Sequence, residues 1–171
     1  MKKLAQCCVR AIDSMTLWSG RFCSLLLVPI IAMVSYEAFS RYFFNKPTTW
    51  AMELSTLVFG VYMIWSMAPS ILNKGQVAMD AFYNKWSLRT RAMVDSVTFV
   101  LVLIFCLTVF YESAYYAVES WQMKEHSRSL LQEPLYHWRV ILSLGALMFL
   151  LQALSSFLKN LWLAVTGEDL L

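Results

Sequence analysis

Two stretches of this chain, Leu54–Leu72 and Val140–Leu158, each run for 19 residues without a formal charge. About 20 predominantly apolar residues cross a bilayer core as a helix, and only a helix satisfies its own backbone hydrogen bonds there. Two more stretches have the same character: Trp18–Tyr36 carries Arg21 as its one charge, and Ser96–Val118 carries only Glu112. The pattern predicts an all-α integral membrane bundle of four transmembrane helices, with spans at roughly 17–41, 50–72, 92–119 and 137–162. Four spans and three short connections use up the 171 residues, so residues 1–171 read as a single membrane domain. Composition agrees: 15% of residues are charged, against about a quarter in a soluble domain.

Two processing signals are weighed and set aside. Met1-Lys2-Lys3 resembles the start of a signal peptide, but the apolar run begins only at residue 17 and lacks a small-x-small exit. Leu4-Ala5-Gln6-Cys7 resembles a lipoprotein box with no apolar segment before it. The N-terminus is therefore expected to stay uncleaved. Residues 2–15 instead place Leu4, Cys8, Ala11, Ile12 and Met15 on one helical stripe. That reads as an amphipathic helix lying on the membrane surface. A second interfacial helix is expected at 77–86, where Met79, Phe82, Tyr83 and Trp86, beside Asp80, would anchor the chain at the inner face.

Basic residues set the expected orientation. Lys2, Lys3, Arg10, Lys74, Lys85, Arg89, Arg91 and Lys159 fall on one side, against Arg41, Lys46, Lys124, Arg128 and Arg139 on the other. Positive residues stay inside, so both termini are expected in the cytoplasm. Trp18, Trp50, Trp86, Trp121, Trp138 and Trp162 fall near the predicted interfaces, as amphipathic rings prefer. The net charge of +3 thus reflects membrane topology, with no nucleic acid as partner. Cys7, Cys8, Cys23 and Cys106 have no metal-binding spacing and read as small apolar fillers.

The depth of each ionisable residue decides what chemistry the spans could hold. At 1.5 Å per residue, Glu37 lies about 28 Å along its helix from Trp18, and Glu112 about 31 Å from Arg91. Both sit near the outer boundary with Arg41 and Glu53, and Arg21 sits at the inner one. The mid-membrane region is expected to lack ionisable groups, whereas a self-sufficient transporter normally places a polar site there. Glu37 and Arg41 are one turn apart, and the turn at Asn45–Pro47 returns Glu53 alongside. Arg41 between two carboxylates would staple span one to span two or contact a partner protein. Nothing nearby supplies a nucleophile or base, so no enzyme activity is expected. His126 falls in the outer loop and His137 at the mouth of a span, which suits solvated histidines better than haem ligands. No cofactor or metal is expected.

At the first hairpin the residues become specific. Arg41-Tyr42-Phe43-Phe44-Asn45-Lys46-Pro47, followed by Trp50 and Glu53-Leu54, resembles the R-Y-x-F-N-x-P-x-x-W-x-x-E-L pattern of DctQ-like small membrane subunits. Those subunits belong to tripartite ATP-independent periplasmic (TRAP) transporters. Gly75-Gln76-Val77-Ala78-Met79-Asp80 falls where that family often has G-H-V-R-V-D, with Gln76 and Ala78 in place of the usual His and Arg. Glu119-Ser120-Trp121, Pro134, Trp138, Gly145 and Gln152 extend the likeness. The resemblance implies an accessory subunit, multi-pass in a bacterial inner membrane, that serves a sodium-coupled transporter of organic anions. It implies two protein partners, a large membrane subunit and a periplasmic substrate-binding protein, with phospholipids around them. It implies structural or partner-contact roles for Glu37, Arg41, Tyr42, Asn45, Pro47, Trp50 and Glu53, and no substrate site in this chain. The competing expectations are a stand-alone small multidrug-type antiporter, which needs a mid-membrane carboxylate in span one, and a cytochrome-type anchor subunit.

Overall fold

The computed structural model describes residues 2–73, 88–129 and 132–166. They form four helices: α1 (Lys2–Phe44), α2 (Thr49–Leu72), α3 (Leu88–Met123) and α4 (Leu135–Thr166). All four are long and apolar enough to cross a membrane, and each contains one of the expected spans. The helices overrun the apolar runs because a helix ends where its backbone meets a breaker, not where hydropathy falls. At the end of α2 that breaker is Asn73, whose N–H caps the Pro69 carbonyl at 3.0 Å.

The helices lie in a row, in the order α1–α2–α4–α3, and α4 also touches α1. This is an open layer rather than a closed square. Its buried core surrounds α4, where Phe149 and Ala153 meet Ile71 of α2 and Cys106 of α3, backed by Val102, Leu103 and Leu150. Small residues set the spacing. Gly145 of α4 lies so close to α2 that a Cβ there would stand 2.6 Å from Ile64 Cγ2 and 2.7 Å from Trp65 Cδ1. The indole Nε1 of Trp65 donates to the Ile141 carbonyl at 3.0 Å, fastening the same seam. Between α1 and α2, Gly20 abuts the Pro69 ring, with 2.8 Å left for a Cβ. Close approach through small residues is how apolar helices gain packing energy where lipid is as apolar as the protein.

The segment 2–15, expected as an interfacial helix, is continuous with the first span. α1 is one uninterrupted helix of 43 residues, about 64 Å long, roughly twice the hydrocarbon thickness. Its early turns continue the span and pack against α4, with Val9 and Thr16 fully buried. No breaker separates the two segments, since Gly20 and Pro29 both lie inside the helix without ending it. The interfacial helix expected at 77–86, with Met79, Asp80, Phe82, Tyr83 and Trp86, lies outside the described residues.

Being at the edges of the row, α1 and α3 leave apolar faces uncovered. Trp18, Phe22, Leu25, Val28 and Ile31 are exposed on α1, and Leu101, Ile104, Phe105 and Tyr111 on α3. A soluble protein would not tolerate such surfaces. In a bilayer they face lipid or another membrane subunit.

Candidate functional site

The α1–α2 turn is built by its own motif residues. α1 ends at Phe44, and Asn45 follows in the left-handed region at φ 52°, a conformation asparagine tolerates well. The Lys46 N–H reaches the Ser40 carbonyl at 3.3 Å, and the Ser40 hydroxyl donates back to the Lys46 carbonyl at 2.8 Å. Pro47 lies in the short non-helical link before α2. Trp50 packs its ring against Tyr36 of α1, with centroids 5.8 Å apart. Tyr42 projects outward and is 83% exposed. Asn45 and Trp50 thus shape the turn, while Tyr42 is free to meet something beyond this chain.

The expected staple of Arg41 between two carboxylates forms only in half. The Arg41 guanidinium donates to Glu37, one turn before it on α1. Glu53 goes elsewhere: its two carboxylate oxygens accept from the hydroxyls of Ser127 and Ser129. Glu53 therefore fastens α2 to the α3–α4 connection, not to α1. The described residues of that connection are themselves held together. Its backbone joins Ser127 to Glu133 at 2.8 Å and Leu135 to Glu125 at 3.0 Å, with His126 and Pro134 bridged. Arg139 at the start of α4 pairs with Glu125 at 2.9 Å and stands over the Tyr116 ring. Trp121, Tyr136 and His137 pack ring to ring, at 5.2 Å and 4.1 Å from Tyr136, and His126 lies 6.2 Å from Tyr136. Both histidines belong to this loop-end cluster, away from the helix interior. Among the described residues no three His, Cys, Asp or Glu side chains are grouped to hold a metal ion.

This difference in partners predicts a difference in consequence. Arg41 is half exposed and its pair with Glu37 lies within one helix, so Arg41→Ala should cost about 0.3–0.5 kcal/mol. Glu53→Ala instead releases a loop from a helix. We expect hydrogen exchange in residues 124–134 to accelerate several-fold in that variant and stay unchanged in Arg41→Ala.

A second polar constellation, which the sequence reading missed, lies at the other end of the row. Asp13 of α1 takes the Lys159 ammonium at 2.6 Å, the Ser155 hydroxyl at 3.3 Å and the Gln152 amide at 3.2 Å. The Thr16 hydroxyl donates to Gln152 Oε1 at 2.8 Å. Gln152, Ser155 and Thr16 are completely buried. The signal was present in the spacing: Gln152, Ser155 and Lys159 recur at i, i+3 and i+7 on one face of α4, opposite Asp13 and Thr16 at i and i+3. Polar side chains hydrogen-bonded across membrane helices fix which faces meet.

The chemistry is that of fastening. Charged groups engage one another, hydroxyls or the Gln152 amide, and the apolar core cluster of Ile71, Cys106, Phe149 and Ala153 packs directly beside the buried Gln152 and Ser155. Residues 30–162 match the sequence model of "Tripartite ATP-independent periplasmic transporters, DctQ component". The chain belongs to the DctQ family. The match takes in the turn, the Glu53 fastening and most of α4, but begins after Asp13 and Thr16. Among curated proteins no relative matches the chain. Membership makes it the small component of a TRAP transporter, a multi-pass membrane protein of a transporter family rather than of an enzyme family.

Proposed function

We propose that this DctQ protein is an accessory subunit that braces the large membrane subunit of a sodium-coupled organic-anion transporter and helps dock its periplasmic binding protein. It has no substrate site of its own, sits in a bacterial inner membrane and keeps both termini in the cytoplasm. The observation that carries the reading is the distribution of polarity. Ion pairs lie toward the ends of the helices, and the core cluster of Ile71, Cys106, Phe149 and Ala153 is apolar. The buried Thr16, Gln152 and Ser155 are engaged with one another or with Asp13. A centre of that kind holds helices at fixed spacing and gives an organic anion nothing to bind. The uncovered apolar faces of α1 and α3 suit lateral contact with a larger membrane protein. In this orientation the α3–α4 connection, with its aromatic cluster, and Arg41 and Tyr42 at the turn face the periplasm, where a binding protein docks.

Affinity purification in mild detergent tests the partnership. The tagged chain should recover a larger, many-span permease in a fixed ratio. Recovery of this chain alone, from membranes that contain the permease, contradicts the bracing role.

A further inference from the structure

A second feature of the α1–α2 seam has no part in the fastening. A cavity of about 300 Å³ opens between Leu17, Gly20, Arg21 and Ser24 of α1 and Tyr62, Ser66, Pro69 and Asn73 of α2. Arg21 lies within the apolar segment Cys8–Phe44, at the inner boundary expected from the sequence, where a counter-charge stabilises a cation. Among the described residues, Arg41, Arg139 and Lys159 each hold a carboxylate, and none reaches Arg21. The hydroxyls of Ser24 and Ser66 are turned to the carbonyls of Arg21 and Met63. That leaves three donors on the cavity wall without an acceptor among the described residues: the Arg21 guanidinium, the Tyr62 hydroxyl and the Asn73 amide.

Depth and shape narrow the ligand. Gly20 touches Pro69, so Arg21 lies about one turn inside the end of α2 at Leu72. Arginine reaches from that level to the headgroup region. Leu17, Gly20 and Pro69 make the neighbouring wall apolar, so the cavity presents donors on one side and hydrocarbon on the other. A planar guanidinium fork matches two oxygens of a phosphate. We propose that this cavity binds the phosphodiester of a membrane phospholipid, in the leaflet that surrounds the N-terminal half of α1, with Arg21 as the principal ligand and Tyr62 and Asn73 as further donors. The first acyl carbons lie along Leu17 and Pro69. The lipid fills the α1–α2 seam and neutralises the cation.

Native mass spectrometry of the full-length chain in mild detergent, titrated with lipids of identical acyl chains, tests this. Phosphatidylglycerol and phosphatidylcholine should both bind, and diacylglycerol, which lacks the phosphate, should bind about tenfold more weakly. Arg21→Gln should weaken both phospholipids by about tenfold. Arg21→Lys should restore the binding in part, since an ammonium supplies the charge without the planar fork, and serves as the folding control; Tyr62→Phe should weaken it a few-fold. Millimolar inorganic phosphate should not displace the lipid, because it has nothing to place on the apolar wall. Unchanged phospholipid binding in Arg21→Gln overturns the proposal, and so does displacement by inorganic phosphate, which marks a site for a free anion. If Arg21→Gln keeps its lipid but loses the permease on purification, the counter-charge is a carboxylate of that partner and the proposal fails.

Discussion

Replacing Gly145 with leucine is expected to part α2 from α4 and abolish assembly of a folded subunit. Even a methyl group at this position meets Ile64 Cγ2 at 2.6 Å and both Cδ1 and Nε1 of Trp65 at 2.7 Å. Trp65 cannot simply swing aside, since its indole N–H is held by the Ile141 carbonyl. Overpacking a tight contact costs about 1–3 kcal/mol for modest additions, and loss of the indole hydrogen bond adds about 1 kcal/mol. Gly145→Ala should therefore lower stability by a few kcal/mol and remain purifiable at reduced yield, while Gly145→Leu should exceed the stability available. Monodispersity and thermal unfolding in detergent measure both. A Gly145→Leu protein that melts like wild type would mean that α2 and α4 are farther apart than described. Gly60, which has open space around it, is the matched control: Gly60→Ala should be neutral or slightly stabilising through better helix propensity.

The second large effect concerns Asp13. Lys159→Ala leaves a mostly buried carboxylate with only Gln152 and Ser155 as donors. Breaking a buried pair costs about 3–5 kcal/mol. Partial exposure of both side chains, 25% for Lys159 and 15% for Asp13, brings the expected cost to about 2 kcal/mol. At this chain length that lowers the melting temperature by about 4–8 °C. Asp13→Ala should cost a comparable amount: the freed lysine can extend toward water or headgroups, but the buried Gln152 amide and Ser155 hydroxyl lose their acceptor. Replacing both charges with leucine should recover only the part of the loss due to the unpaired charge, because Gln152 and Ser155 remain without the Asp13 acceptor. If the double variant is worse than Lys159→Ala alone, the network contributes more than closing a helix end.

How much of this was legible beforehand follows from how each feature is encoded. The four spans were, because an apolar run of membrane length has few other outcomes. The turn was too, because Asn45 and Pro47 have local conformational preferences that need no partner. The neighbour of each helix was not: a helix apolar all round gives no periodicity to say which face meets protein and which meets lipid. Arg41 was assigned two carboxylates by proximity in sequence. Glu53 in fact serves two hydroxyls 74 and 76 residues away, and serine in a loop carries no mark of its partner. Asp13 was hidden by an amphipathic stripe that fitted a surface helix equally well. Only the unbroken length of α1, which keeps Asp13 and Thr16 level with α4, reveals their role.

If this DctQ protein braces a transporter without moving substrate itself, uptake into sealed vesicles will show it. Vesicles holding only this chain should accumulate no organic anion under an inward sodium gradient. Vesicles holding it together with its large subunit and supplied with binding protein should accumulate substrate, and should stop when the gradient is dissipated. Uptake by this chain alone would rule out a purely bracing role.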